Sequence, residues 1–545
     1  MKRYIPLFPM LLVAVIGTAQ TVGDTINRMV LVESTYNPII VGAVKRNFIP
    51  EEVKPSMSKE KVVYADENVP LTTFDRMAQP AETVSITPEE ESAPGYAHLG
   101  CGNYNNLSGL AAYKWRFGTS DDLTLKAHID GWNGTLKPLN STVQWRSHLC
   151  DMGINAEYST QLRGVAVETG IHAAYSSYNY LTDGTHNKGA DLQQTGNLGA
   201  YIGIEGSIKS DFHYRARAGY AHLGRCTLLG TRTPHSEGHF SIDGSVGMNL
   251  HEWGMASLQL QGDVLTYRGI GYYHGYHSLS LTPRWDYRLG DLRFAAGFNM
   301  DFLGGNRTLH TPLQLSPECY VNYVPADKPF TARFTLDGGR DVNTFGRLYA
   351  LSPYWASATQ VLPTYTFMNA RLEGGVRIVE GLHLHLGGAY KILSDALFET
   401  VGYLSGVTYT CITNHNARVA TLDVAIDYVY KDVANLSVKG TNHYWILKGD
   451  RSLLARAPQF KVDADARVRI MPKLYAYTDL LIVSFTKVVA RERAIIDWGL
   501  GADYAFSKRL SLFLDVHNLL GSRYSYYTGY PAQGFNVLVG AKFKF

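Results

Sequence analysis

From Gly95 to the end of the chain, apolar and polar residues alternate one for one in stretch after stretch. In Phe460–Ile470, one side carries Phe460, Val462, Ala464, Ala466, Val468 and Ile470, and the other Lys461, Asp463, Asp465, Arg467 and Arg469. Period two is the signature of a β-strand, whose successive side chains point to opposite faces. Thr421–Tyr428 sets Leu422, Val424, Ile426 and Tyr428 against Asp423 and Asp427, and Phe330–Asp337 sets Phe330, Ala332, Phe334 and Leu336 against Arg333 and Asp337. Such stretches match the roughly 9–11 residues that a tilted strand needs to cross a bilayer. One half-buried strand of a soluble protein would look the same; recurrence through 95–545 would not.

The connections agree. A tight hairpin near Asn103–Asn106 opens the series. Tight turns are then predicted near 118–120, Ser159-Thr160, Lys209-Ser210, His251-Glu252, Leu289-Gly290, Ala326-Asp327, Glu380-Gly381, Lys431-Asp432, Pro472-Lys473 and Ser507-Lys508. Longer joints fall between them, around 133–141, 181–190, 226–236, 268–276, 304–314, 342–362, 395–414, 449–457, 488–493 and 518–533. Membrane barrels alternate short periplasmic turns with long outer loops, and have an even strand number. The pattern therefore predicts an all-β fold: one large antiparallel transmembrane β-barrel of about 22 strands, within 18–22. Tyrosines at predicted strand ends (Tyr272, Tyr273 and Tyr276; Tyr475 and Tyr477; Tyr524, Tyr526 and Tyr527) are read as interfacial girdles. At the C-terminus, Phe535, Val537, Val539, Ala541, Phe543 and Phe545 share one face, an aromatic-ended last strand that serves as the signal for outer-membrane assembly machinery.

Composition fits a barrel with lipid outside and a polar interior: 45% hydrophobic, 18% charged, 36 Tyr and 52 Gly, with a mean hydropathy of −0.13. A net charge of +3 gives no reason to expect a nucleic-acid partner. Met1-Lys2-Arg3, an apolar run and Gly17-Thr18-Ala19 read as a signal peptide over residues 1–19. Residues 20–94, punctuated by proline and ending near Glu89-Glu90-Glu91, read as an extended periplasmic or lumen-filling segment. The five cysteines are widely spaced and lack metal spacing.

Near the C-terminus, Val516-His517-Asn518-Leu519-Leu520, Tyr524, Gly529-Tyr530-Pro531 and the strand Gly534–Phe545 resemble the barrel ending of TonB-dependent outer-membrane receptors, in a Bacteroidota style. The resemblance covers 95–545 and implies solute uptake or passage across the outer membrane of a Gram-negative cell. Its partners would be outer-membrane lipid, lipopolysaccharide and the assembly machinery. The chain departs from that family in having too few residues before the barrel for a full plug, a domain that needs its own core. A separate plug or accessory protein is thus a further candidate partner. Leu31–Pro38 is the nearest approach to a TonB-contacting segment, and engagement of TonB stays open.

The candidate lumen lining is Arg333, Asp337, Arg371, Glu373, Asp423, Asp427, Lys461, Asp463, Asp465, Arg467, Arg469 and Asp515. Paired across the wall, these charges would keep the interior polar. His383 and His385 share a strand face but lack a third metal ligand; no metal or cofactor is expected. The hydrolase elbow, zinc-protease and phosphate-loop motifs are missing, so an enzyme is not expected. Substrate would meet the outer loops 342–362, 395–414 and 518–533 first. An unplugged barrel of this width would leak, which makes 20–94 the candidate obstruction. The rival reading is a non-transporting scaffold or accessory subunit, with 20–94 as a docking arm.

Overall fold

The protein's structure, a computed structural model, describes residues 93–545 apart from 119, 140–143, 184–191, 209–210, 230, 272, 306–311, 357–359, 405, 432 and 487–492. The expectations for 1–19 and for 20–92 lie outside the described residues. Twenty-two antiparallel strands, from Gly95–Gly102 to Asn536–Lys544, follow one another around a closed ring. The last strand pairs with the first, from Tyr96↔Lys544 to Gly102↔Leu538, so no edge is left open.

Alternation gives each strand two faces. Ile154, Ile171, Leu198, Leu315 and Leu372 point outward and are each at least 60% exposed, a surface that lipid, not water, accommodates. Phe535, Val537, Val539, Ala541, Phe543 and Phe545 lie on this outer face of the last strand. The seam is tied at both ends. Gly95 N donates to Phe545 O at 2.8 Å and Phe545 N to Gly95 O at 3.0 Å. At the other end, Asn106 Nδ2 donates to Asn536 Oδ1 and to Gln533 Oε1, both at 2.9 Å.

Gly95 and Phe545 lie at the end of the ring that carries the short turns, the periplasmic end in barrels of this kind. The turn expected at Ser159-Thr160 falls instead at Arg163-Gly164, where both residues have positive φ (52° and 85°). Two expected long joints are not loops. Strands Phe212–Leu229 and Thr231–Asn249 run through 226–236, and Leu382–Leu404 and Val407–Tyr430 run through 395–414.

The girdle reading of the tyrosines is also corrected, except at Tyr272, which lies outside the described residues. Tyr273, Tyr276, Tyr524 and Tyr527 are buried. Tyr477 donates to Asp515 and Tyr526 to Asp497; Arg467 stacks over Tyr475. A buried phenol seeks an acceptor, and the acceptors are inside. The exposed aromatic belt near the short-turn end is made by other residues, among them Trp115, Phe117, Trp285, Tyr504, Phe543 and Phe545.

Candidate functional site

The outer mouth is where the chain departs from a plain cylinder. Strands Leu382–Leu404 and Val407–Tyr430 have 23 and 24 residues. That is about a dozen beyond a tilted span, or roughly 40 Å at ~3.3 Å per residue. Pairing of the first with Thr364–Val379 stops at Ser394, and pairing of the second with Ala434–Leu447 begins at Ala417. From 395 to 416 the hairpin is therefore a two-stranded ribbon with no strand beside it in the wall. At its root the register slips between Leu393 and Ala396, and Asp395 takes a φ of 55°. A bulge of this kind bends a strand.

The ribbon crosses the mouth. Its tip pairs Val407 with Thr182 and Thr408 with Leu181. Leu181–Thr182 follows the fifth strand of the ring whereas Val407 opens the sixteenth, so the two come from opposite walls. Asp183 N donates to Gly406 O at 3.0 Å, and Tyr403 Oη to Asp183 Oδ2 at 2.6 Å.

Two loops pack beneath the ribbon. The loop over 342–363 carries a short helix, Phe345–Leu351, capped by Thr344, whose Oγ1 accepts from Arg347 N at 3.1 Å. Glu237 of the far wall accepts from Phe345 N through both carboxylate oxygens, at 2.9 and 3.0 Å. Arg225, also of the far wall, donates Nη2 to Pro353 O at 3.1 Å and to the Tyr178 hydroxyl. Trp355 makes a parallel bridge to Thr410 of the ribbon. The second loop, 518–535, places Tyr530 flat on Tyr354, centroids 3.6 Å apart, while Tyr530 Oη donates to Thr408 O. Trp145, Tyr178, Tyr180 and Tyr527 complete this buried aromatic cluster. Burial holds the Tyr354 and Tyr530 hydroxyls well above the usual phenol range, so both stay neutral. The structure thus brings together the three segments read from sequence as outer loops, 342–362, 395–414 and 518–533, as a roof.

Below the roof, the charged residues read from sequence sit on the faces opposite the exposed apolar side chains. Arg371 contacts Glu373 at 2.5 Å and Asp423 at 3.1 Å. Lys461 contacts Asp463 at 2.6 Å. Asp337 accepts from Asn369 Nδ2 at 2.9 Å, and Asp427 from Ser437 Oγ at 2.7 Å. Arg333 lies over the Tyr320 ring at 5.6 Å. Arg467 approaches Asp503 at 3.7 Å, and Asp515 accepts from Tyr477. Asp465 stands in register with Ser437 and Asp479, and Arg469 with Tyr475. These residues form a mixed-charge lining along one stretch of wall, not a single focus.

The sequence reading missed the other wall. There Tyr201 Oη lies 2.6 Å from a Glu157 and 2.8 Å from a Glu168 carboxylate oxygen, its single proton shared between the two, under the Arg217 guanidinium 3.6 Å from the ring centroid. A cavity of about 400 Å³ near the short-turn end lies among Asp122, Glu168, Glu205, Arg215 and Arg217. Alternation alone would have put Glu157, Tyr201, Arg217 and Arg225 inside. What hid them was the small-residue content of their strands, where Gly, Ala and Ser blur the apolar face.

A closed 22-strand barrel with an apolar outside, a charged inside and a looped outer mouth has the architecture of an outer-membrane β-barrel. No protein-family model matches the chain, and no curated protein matches it by sequence. Solved structures match its fold. The FrpB iron transporter from Neisseria meningitidis gives a TM-score of 0.65 at 11% identity, over 83% of this chain and 82% of its own. The copper transporter OprC gives 0.62 at 12%, over 83% and 80%. The siderophore receptor PirA from Pseudomonas aeruginosa gives 0.58 at 12%, again over 83% and 80%. Likeness at such identities establishes the barrel fold; function has to be argued from the site.

Proposed function

We propose that the chain is an outer-membrane receptor that takes up a solute through its barrel, in the manner of TonB-dependent receptors of the Bacteroidota type. In this reading residues 1–19 direct export, 20–94 form a periplasmic or lumen-filling segment, and 95–545 span the membrane. The observation that carries it is the roofed mouth above a charged inner wall. A ring of 22 strands is wider than the 16–18-stranded porins that already pass solutes. A chain that builds such a ring and then folds its own outer segments across the mouth is organised for selective admission. The printed names of its structural neighbours (iron, copper and siderophore transporters and receptors) supply the first solutes to try.

The test is uptake by cells with and without the chain, using labelled iron chelates, copper and siderophores, each with TonB present and depleted. Loss of uptake of one class in the deletion strain is expected. Unchanged uptake of every class, together with a stoichiometric partner in mild detergent, would overturn the reading in favour of the scaffold. The TonB arm decides energisation separately.

A further inference from the structure

Several glycines of the inner wall are covered by the ring of the residue directly across from them. A Cβ on Gly153 would fall 2.5 Å from His128, one on Gly170 2.4 Å from Tyr201, one on Gly199 2.1 Å from His172 and one on Gly501 2.1 Å from Tyr477. Each of these gaps is filled by the protein itself.

Gly203 is different. Its partners in register are Glu168 on one side and Arg217 on the other. The atoms nearest to a Cβ there would be the Ala216 carbonyl oxygen and the Arg217 Cγ, both at 3.7 Å. The space in front of Gly203 is therefore left open, as part of the cavity of about 400 Å³ near the short-turn end. Small-molecule sites run from about 300 to about 1,000 Å³.

The charge around this gap changes sign across it. Glu168 and Arg217 stand two strand spacings apart, about 9–10 Å between backbones. Towards the short turn, the strand of Gly203 supplies Glu205, and Arg215 stands directly across from it. On the other side Tyr201 keeps the two signs from meeting, with its hydroxyl against Glu168 and its ring face under Arg217. Asp243 flanks Arg217 on the side away from the gap. Among the described residues, neither Glu205, Arg215 nor Arg217 is joined in an ion pair. Other charges of the lumen are satisfied by their neighbours: Lys461 by Asp463, Arg371 by Glu373 and Asp423, and, at the edge of this same cavity, Asp122 by Lys114 at 2.9 Å.

A carboxylate can only accept hydrogen bonds and a guanidinium can only donate them. A ligand with one charge of each sign would satisfy both sides of the gap through charge-assisted bonds, whereas a singly charged one leaves a side unpaired. Because the two sides are so close, the ligand's own charges must be close as well.

We propose that the gap over Gly203 is a binding site for a small zwitterion, an α-amino acid or a dipeptide. Its ammonium group would lie between Glu168 and Glu205, and its carboxylate on Arg215 and Arg217. The site is on the wall near the short-turn end, away from the outer mouth, and the inference does not depend on which solute is carried across the membrane.

The test is calorimetric titration of the full-length chain, extracted from outer membranes in mild detergent. The probes are diglycine, N-acetyl-diglycine, which has no ammonium group, and diglycinamide, which has no carboxylate. Diglycine is expected to bind once per chain, and each blocked form roughly tenfold more weakly or worse. Glu205→Gln should shrink the advantage of diglycine over the N-acetyl form and keep its advantage over the amide; Arg215→Gln should do the reverse. Gly203→Leu should abolish binding by filling the gap, while the barrel keeps its heat-modifiable mobility on a gel, since a Cβ there makes only ordinary contacts. No heat from diglycine with the unaltered chain would overturn the site, as would equal affinity for the three probes, or binding by folded Gly203→Leu. Should Gly203→Leu fail to fold, the two charge variants decide: if neither discriminates between the blocked forms, the site is overturned. None of these results bears on uptake, so this inference and the proposed function fail separately.

Discussion

At the scale of single residues, two arginines separate charges that hold the barrel from charges it carries at a cost. Arg371 is bracketed by Glu373 and Asp423, and removing it takes the shared cation from two carboxylates on a crowded wall. Arg371→Met is expected to cost about 2–4 kcal/mol, in the range for breaking a partly buried pair, and to lower the urea midpoint of the refolded barrel. Arg225→Met removes a buried charge with no carboxylate partner. It loses the bonds to Pro353 and Tyr178 but gains relief from desolvation. The change should stay within about 1 kcal/mol of the parent. If Arg225→Met proved as costly as Arg371→Met in the same titration, the guanidinium would be compensated by Pro353, Tyr178 and the Trp355 ring beneath it. The sequence could place both residues on an inner face by alternation. It could not distinguish them, because the difference lies in partners contributed by other strands.

At the scale of elements, most of the ring was legible, because a two-residue period and a rhythm of turns are local signals. The extended hairpin was not. Its residues 394–416 include Ser394-Asp395 and Asn414-His415-Asn416, polar clusters that read as loop but in fact supply a bulge and its clamp. The tyrosines misled for a related reason: a phenol at a strand end suits a lipid interface and a buried acceptor equally well, and the acceptors Asp497 and Asp515 lie far away in sequence. The closing seam makes its own prediction. A Cβ on Gly95 would come within 2.3 Å of the Phe545 ring, which stacks on Tyr113 and Phe543 with centroids 5.7 and 5.6 Å away. Gly95→Val should therefore reduce the fraction of heat-modifiable, folded barrel in outer-membrane preparations. Gly118→Val at the first short turn meets no atom within 4 Å but sits at a φ of 84°, and should cost only its local backbone strain. Equal yields of the two variants would mean the ring does not depend on this contact to close.

At the scale of the whole molecule, the roof changes what a deletion can reveal. The sequence alone makes residues 20–94 the first candidate obstruction, so their removal should open the pore at once. With the outer mouth crossed by the ribbon and the loops 342–363 and 518–535, a lumen filled by 20–94, as we propose, would set two barriers in series. Resistances in series add, and the larger one sets the current. Removing 20–92 alone should therefore raise planar-bilayer conductance only modestly, and so should replacing 343–362 by a short Gly-Ser turn. Removing both should raise it by far more than the sum of the two single effects, and the doubly altered strain should become sensitive to large antibiotics. The first strand begins at Gly95 and the seam is formed between 95–106 and 533–545, so each of these chains retains what it needs to close the ring. A sharp rise from the 20–92 deletion alone would show that the roof is no barrier to ions. A flat response from the double variant would place the obstruction in the inner wall or the remaining outer loops.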